Sequence, residues 1–289
     1  MHRSLLTTRI PGRLAAGHTA VFVHGWPDNS NVFAPLTGHD SPLLDRFASL
    51  LLCDLPLCDR RSWNPELLDF ETIAALLAAT LASEGPLTLI AHDWGSIIAA
   101  HALARHPEVD VRRLVLMDVG AQPAFSTWLL LLPRLSFIVA YQSINCLIYC
   151  AGRLGPAAAK IADAVNRRWV RVFHPHPAEK YAGRPTGHEV NYFYRHALAS
   201  FASRSWREAN AALREPRVPC LFLYGLSLFH DAGWAAGLAS GARGPLCDAQ
   251  CVHPSHWFYR REPQKTLSLL AEWLDRTDRA MDQVARSAN

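Results

Sequence analysis

Short apolar runs, each closed by glycine, proline or charge, punctuate the chain and alternate with longer stretches whose apolar residues recur every third or fourth position. Ala20 to Val23, Ser49 to Cys53, Leu87 to Ala91, Arg112 to Asp118 and Arg217 to Gly225 have the composition of buried parallel strands. Ser4 to Ile10 reads as an edge strand and Ala249 to Val252 as a last short one. Helical spacing falls between them. Leu43 to Phe47 is a short helix, and Pro65 to Ser83 carries Leu67, Phe70, Ile73, Leu76, Leu77 and Leu81 on one broad face. Ser96 to Arg105 is alanine-rich and stops before Pro107, and a helix is expected around Trp234 to Ala239. Pro263 to about Ala280 repeats Leu267, Leu270 and Leu274 at helical intervals, with a frayed tail expected beyond Asp282. Strand and helix in alternation predict an α/β fold, a doubly wound and mostly parallel sheet whose sites lie at the carboxyl ends of its strands. No internal repeat is visible.

The alternation stops near Gln122 and resumes only at about Leu213. The intervening roughly ninety residues hold helical stretches separated by Pro133, Gly152, Pro156, His174-Pro-His-Pro177 and Gly183-Arg-Pro-Thr-Gly187. Residues 1–121 and 213–289 are therefore expected to form the core, with 122–212 inserted as a helical cap. Trp128 to Cys150 is very apolar. It reads either as a buried lid face or as a surface for peripheral membrane contact, and a greasy lid favours a small lipophilic substrate.

Composition narrows the class. Half of the 289 residues are hydrophobic, 19% are charged, and the net charge of +4 includes no long basic run, so nucleic-acid binding has little support. No uninterrupted apolar stretch is long enough to predict a spanning helix. The seven cysteines, Cys53, Cys58, Cys146, Cys150, Cys220, Cys247 and Cys251, form no C-x-x-C pair and read as free thiols of a reducing, cytoplasmic compartment. Arg3, Arg9 and Arg13 with no acid before Asp28 give organellar targeting as the second reading. Cys247 and Cys251 near His253 and His256 lack a second close-set cysteine pair, so no metal is expected. The oligomeric state is not expressed in the sequence.

The chemistry concentrates at Leu87 to Gly95. A buried strand turns into a helix around Asp93, with Gly95 two residues on, the spacing of a nucleophile elbow. Where such a turn usually presents serine, this chain presents a carboxylate, already nucleophilic at neutral pH and able to displace a leaving group from carbon to give an ester. The simpler alternative is that Asp93 merely caps the helix. Ala20 to Val23 runs into His24-Gly25-Trp26-Pro27, where glycine lets the backbone approach a bound group, so the N–H groups of Trp26 and Trp94 are the expected oxyanion donors. His256 follows the last strand and is the expected base, with His253 as its rival. The acid that orients it is Asp231 or, as the alternative, Asp118, each beyond a strand end.

His24-Gly25-Trp26-Pro27, His92-Asp93-Trp94-Gly95 and Ser255-His256-Trp257 resemble the epoxide hydrolases of the α/β-hydrolase fold, with haloalkane dehalogenases as near relatives. The resemblance implies two cap tyrosines that hydrogen-bond an epoxide oxygen; Tyr141 and Tyr194 match, with Tyr192 as an alternative for the second. It implies no organic cofactor. Two departures stand out: Leu57-Cys58 where such chains turn on glycine, and Leu228 and Phe229 where the acid usually lies. Epoxide hydrolysis to a diol is the leading expectation. The alternatives are a dehalogenase, which would need indole or amide donors at the halide, where Trp94 fits and no clear Asn partner follows His24-Gly25, and a catalytically silent fold used for binding, which the two departures support. A serine esterase is disfavoured because Ser96 lies three residues beyond the elbow position.

Overall fold

The computed structural model describes residues 3–15, 17–59, 61–122, 132–173, 187–201, 203–225 and 230–287. Trp128 to Leu131 of the apolar stretch, His174-Pro-His-Pro177, Gly183 to Thr186, Leu228 and Phe229, all named above, lie outside these residues.

Seven strands form one sheet: β1 (Leu6–Pro11), β2 (Thr19–Val23), β3 (Ser49–Asp54), β4 (Leu87–His92), β5 (Val111–Met117), β6 (Cys220–Tyr224) and β7 (Asp248–Cys251). Their spatial order is β1-β3-β2-β4-β5-β6-β7, and only β1 runs antiparallel to its neighbour. The chain starts its parallel winding at β2, moves out to β3 and returns across to β4, so β2 and β4 lie side by side with Val23 opposite Ala91. That reversal of direction brings the ends of β2 and β4 together, the place where an open α/β sheet forms its crevice.

The two-residue period of each strand divides the core between the sheet faces. Val21, Val23, Leu51, Cys53, Leu114, Leu116 and Phe222 pack to one side, against α2 (Phe70–Leu81) and α3 (Trp94–Arg105). Ala20, Phe22, Leu50, Leu52, Val115, Met117, Leu221 and Leu223 pack to the other, beneath α1 (Ala34–Thr37) and the carboxyl-terminal helix. Both faces are covered, which is why these strands read as unbroken apolar runs.

Three elements differ in detail from their expected bounds. Pro65 to Ser83 is a 3-10 turn at Pro65–Leu67 followed by α2, because Asp69 accepts the Thr72 N–H at 2.7 Å and starts the helix there. Leu43 to Phe47 is likewise only a 3-10 turn, Pro42–Asp45. The last helix runs from Pro263 to Ser287, past the point where fraying was expected; beyond Asp282 it includes Gln283, Ala285 and Arg286, which favour helix, and neither glycine nor proline.

Between β5 and β6 the chain forms α4 (Leu132–Gly152), α5 (Pro156–Phe173), a 3-10 turn at His188–Asn191, α6 (Tyr192–Ser200) and α7 (Arg204–Arg214). Helix α4 packs against α5, α6 and the 3-10 turn. Helix α7 instead lies along α3, and Asn210 is joined to the Gln122 backbone by paired hydrogen bonds of 2.7 and 3.2 Å. Beyond these, α8 (Ala232–Ala239), α9 (Phe258–Arg261) and α10 (Pro263–Ser287) complete the chain. Among the described residues, no helix is long and apolar enough to cross a membrane.

Candidate active site

Asp93 sits between the end of β4 and the first turn of α3 with φ 53° and ψ −123°, a conformation that costs a side-chain-bearing residue of order 1–3 kcal/mol. The simplest account of an aspartate here, a helix cap, does not hold: its side chain makes no capping hydrogen bond to α3. Oδ2 instead accepts the Trp26 N–H at 2.8 Å, and the Trp94 N–H acts on the same carboxylate. Two glycines permit this approach. A Cβ on Gly25 would lie 2.4 Å from Asp93 Oδ2, and one on Gly95 would lie 2.3 Å from the Val23 carbonyl oxygen. Both positions therefore exclude any larger residue.

His256 faces the carboxylate from the opposite side, with Nε2 3.8 Å from Asp93 Oδ1. Its Nδ1 donates to Asp118 Oδ2 at 2.6 Å. Asp118 is fully buried at the end of β5, and its Oδ1 accepts the Gly225 N–H at 2.8 Å. Gly225 is itself tightly enclosed: a Cβ there would meet the Ser255 carbonyl oxygen at 2.0 Å. The ends of β4, β5 and β6 and the loop after β7 thus meet on three polar side chains.

Of the two expected acids, Asp118 and not Asp231 stands at His256. Asp231 does not reach His256; its Oδ2 pairs with Arg214 at 2.6 Å and its Oδ1 accepts the Trp234 N–H at 3.0 Å, capping α8. The physical reason lies in sheet order. β5 is the immediate neighbour of β4, so a residue following β5 stands beside the elbow, whereas β6 lies one strand further out and Asp231 comes seven residues after its end at Tyr224. His253, the rival base, is not part of this contact; His256 is.

Burial pushes the Asp93 carboxyl up to about 6, against the opposing pull of His256 and the Trp94 and Trp26 N–H groups. For His256, burial works against the protonated ring, but the Asp118 hydrogen bond and charge outweigh it and hold the ring above the ordinary imidazole range. His92, fully buried, is driven well below that range by desolvation, so it stays neutral. Its Nε2 donates to the His256 carbonyl at 3.0 Å and Nδ1 accepts from the Tyr259 hydroxyl at 3.4 Å, which supports the backbone of the His256 loop. His24 has a comparable supporting part: Nδ1 donates to the Gly25 carbonyl at 2.9 Å and Nε2 accepts the Leu55 N–H at 3.0 Å.

Tyr194 donates to the Tyr141 hydroxyl at 3.2 Å, and both rings stand edge-on to the Trp26 indole. Tyr194 also packs edge-on against Trp94. Burial raises both phenol pKa values, so both remain protonated donors. Tyr192 is turned elsewhere: its hydroxyl donates to the Pro56 carbonyl at 3.3 Å, and it is not the second tyrosine of this pair.

Two residues that the sequence did not single out complete the surroundings. The Trp26 indole N–H donates to Asn191 Oδ1 at 2.8 Å, and Asn191 Nδ2 donates to Asn166 Oδ1 at 2.8 Å, all fully or almost fully buried. Asn191 ends the 3-10 turn just before α6, and nothing in its sequence neighbourhood marks it. Among the described residues, no group of three metal-binding side chains is present. Cys247 is buried with Sγ donating to the Arg243 carbonyl, while Cys251 is exposed.

A model of the alpha/beta hydrolase family matches residues 20–278. Among solved structures, a loop variant of a haloalkane dehalogenase from Bradyrhizobium elkanii aligns at TM-score 0.69 and 18% identity, covering 98% of each chain. An epoxide hydrolase from Bacillus megaterium aligns at 0.66 and 15% identity over 94% of this chain and 96% of that one. A thermophilic esterase from Thermogutta terrifontis aligns at 0.65 and 17% identity over 94% and 93%. No curated protein sequence matches. Identities this low carry the fold across and not the substrate. The extent of the family match and the sheet order agree: the chain belongs to the alpha/beta hydrolase family.

Proposed function

We propose that Asp93 is a nucleophile that opens the epoxide ring of a lipophilic substrate, forming an ester that is then hydrolysed to release a diol. The observation that supports this most is the division of labour on the Asp93 carboxylate: Oδ2 rests on the Trp26 N–H while Oδ1 stands 3.8 Å from His256 Nε2.

In this reading Asp93 attacks an epoxide carbon, the C–O bond breaks, and the Tyr141 and Tyr194 hydroxyls hydrogen-bond the oxygen as negative charge develops on it. Burial disfavours charge on both phenols, so they serve as donors to the departing oxygen. The ester carbonyl oxygen takes the place of Oδ2, on the N–H groups of Trp26 and Trp94. His256 Nε2 removes a proton from water as it attacks that carbonyl carbon, and Asp118 stabilises the imidazolium formed. The tetrahedral intermediate collapses with cleavage of the ester C–O bond, the proton held on His256 and the one left on the added water oxygen pass to the two diol oxygens, Asp93 and His256 are restored, and the diol leaves. Helices α4 to α6 serve as the cap, and the aromatic rings of Trp26, Trp94, Tyr141 and Tyr194 around the carboxylate favour an apolar substrate.

The phenol pair favours an epoxide over a halide. A dehalogenase needs N–H donors at the departing halide; the Trp26 indole N–H is given to Asn191 Oδ1, and that of Trp94, the expected donor, to the Tyr194 hydroxyl. The silent-fold reading draws on the displaced acid and on the Leu57-Cys58 turn; the Asp118 contact with His256 answers the first, and the second stands, with Leu57 at φ 65°. The experiment is intact-mass analysis of His256→Gln mixed with panels of epoxides and haloalkanes. A mass increase equal to the whole epoxide, located on Asp93, is the expected result. An adduct lacking halogen from haloalkanes alone would assign the dehalogenase reading, and no adduct from either panel would refute Asp93 as nucleophile.

A further inference from the structure

Helices α4 and α5 form an antiparallel pair whose outward face is apolar. Among the described residues of α4 the exposed positions are Ser136, Phe137, Val139, Ala140, Ile144, Leu147, Cys150 and Ala151; Phe137, Ala140, Ile144, Leu147 and Ala151 follow helical spacing, Ser136 is the one hydroxyl and none is charged. Leu147 is 67% exposed, Leu154 in the connecting turn 83% and Ile161 on α5 66%. Of the twelve large hydrophobic side chains exposed among the described residues, seven fall between Phe137 and Val165, so the exposure is concentrated and not the scatter that any surface shows.

Charge identifies what such a face would meet. From Ser136 to Arg171 the chain has five exposed cations, Arg153, which pairs with Glu66 at 3.5 Å, and Lys160, Arg167, Arg168 and Arg171 on α5, and one carboxylate, Asp163. Asp163 is engaged by the His188 ring and backbone N–H at 2.7 and 2.8 Å. The net charge of the whole protein is +4, so this pair of helices accounts for the basic excess and the remainder is close to neutral. On α5, Lys160, Arg167, Arg168 and Arg171 lie beside the exposed Ile161 and Val165, the arrangement of an amphipathic helix that rests in the headgroup region of a bilayer.

We propose that the outer face of α4 and α5 docks on anionic lipid bilayers, its apolar side chains entering the headgroup and acyl boundary and its cations facing lipid phosphates. A second copy of the chain is the competing occupant, and charge argues against it: a two-fold contact would place two such cationic faces against each other, whereas an anionic bilayer neutralises them. The inference does not depend on the chemistry assigned to Asp93. It does bear on supply of substrate, since α4 also carries Tyr141, so the helix that meets lipid is the one that faces the carboxylate.

The test is co-sedimentation of the full chain with vesicles of phosphatidylcholine alone and of phosphatidylcholine with phosphatidylglycerol, across a salt series, with light scattering of the protein in solution. The expected result is binding to the anionic vesicles only, weakened by salt, lowered tenfold or more in the Leu147→Glu/Ile161→Glu variant and lowered several-fold in Arg167→Gln/Arg168→Gln. Both variants change exposed side chains, and circular dichroism verifies their fold. If the apolar variant does not fold, the arginine variant and the salt series on the natural chain decide. Absence of binding to anionic vesicles, equal binding by the apolar variant, or a solution dimer that Leu147→Glu/Ile161→Glu converts to monomer would each overturn the proposal.

Discussion

Replacing Asp118 by Asn retains the size of the side chain and removes its charge. In the native chain Asp118 is fully buried, with one oxygen on the Gly225 N–H at 2.8 Å and the other on His256 Nδ1 at 2.6 Å. An amide in its place must put its oxygen toward the Gly225 N–H, which leaves its NH2 group facing Nδ1. The ring is then driven to the tautomer with its proton on Nε2, where it cannot accept one from water. The charge lost matters as well. Two unit charges about 4 Å apart attract by about 4 kcal/mol at an effective dielectric of about 20. That is about a thousandfold in rate, at about 1.36 kcal/mol per factor of ten. Together these predict ester hydrolysis slowed by about 10³ to 10⁴, while alkylation of Asp93, which needs no base, changes by less than about tenfold. Rapid-quench mixing with an epoxide, followed by intact-mass analysis, reads both steps: the variant accumulates ester nearly to completion and the natural chain does not. Asp231→Asn is the control, expected to leave both steps within about threefold and to cost at most about 1 kcal/mol of stability through the lost Arg214 ion pair, since asparagine caps α8 as well as aspartate does. If Asp118→Asn clears its ester at the natural rate, or Asp231→Asn is the variant that stalls, the assignment of the acid fails.

Alkylation requires ionised Asp93 and should fall as pH drops below about 6, whereas ester hydrolysis requires neutral His256, held above the ordinary imidazole range, and should fall from a higher pH; single-turnover pH profiles of the two steps check the order. Because the folded Asp93 carboxyl is raised from 3.8 to about 6, the folded state binds the extra proton between those values and stability declines as pH rises through that window. Asp93→Asn should therefore be more stable than the natural chain by about 2–3 kcal/mol at pH 8, with the gain gone below about pH 4, measured by urea unfolding. Tyr141→Phe and Tyr194→Phe should each slow alkylation by about 10² while leaving hydrolysis of a preformed ester nearly unchanged, a split visible in the same rapid-quench assay. Asn191→Leu leaves the buried Trp26 indole N–H without its partner and should cost about 1–3 kcal/mol in urea unfolding, with a shift in tryptophan fluorescence.

Local structure is legible in the order of residues. Buried strands declare themselves as apolar runs because both sheet faces are covered, and the turn at Asp93 is legible because Gly25 and Gly95 mark close backbone approaches that no other residue tolerates. Helix-forming stretches between β5 and β6 are visible for the same local reason. Which distant residues meet depends on how the elements pack. Asp118 and Asp231 both follow strands and look equivalent along the chain; only the order β4-β5-β6 puts Asp118 beside the elbow and leaves Asp231 to cap a helix. Tyr192 and Tyr194 are two residues apart, yet the helical twist turns one phenol to the Pro56 carbonyl and the other to Tyr141. Asn191 becomes a partner of Trp26 across 165 residues, a contact without any trace in either neighbourhood. Periodicity records which face of an element is buried, and only packing in three dimensions settles what that face is buried against.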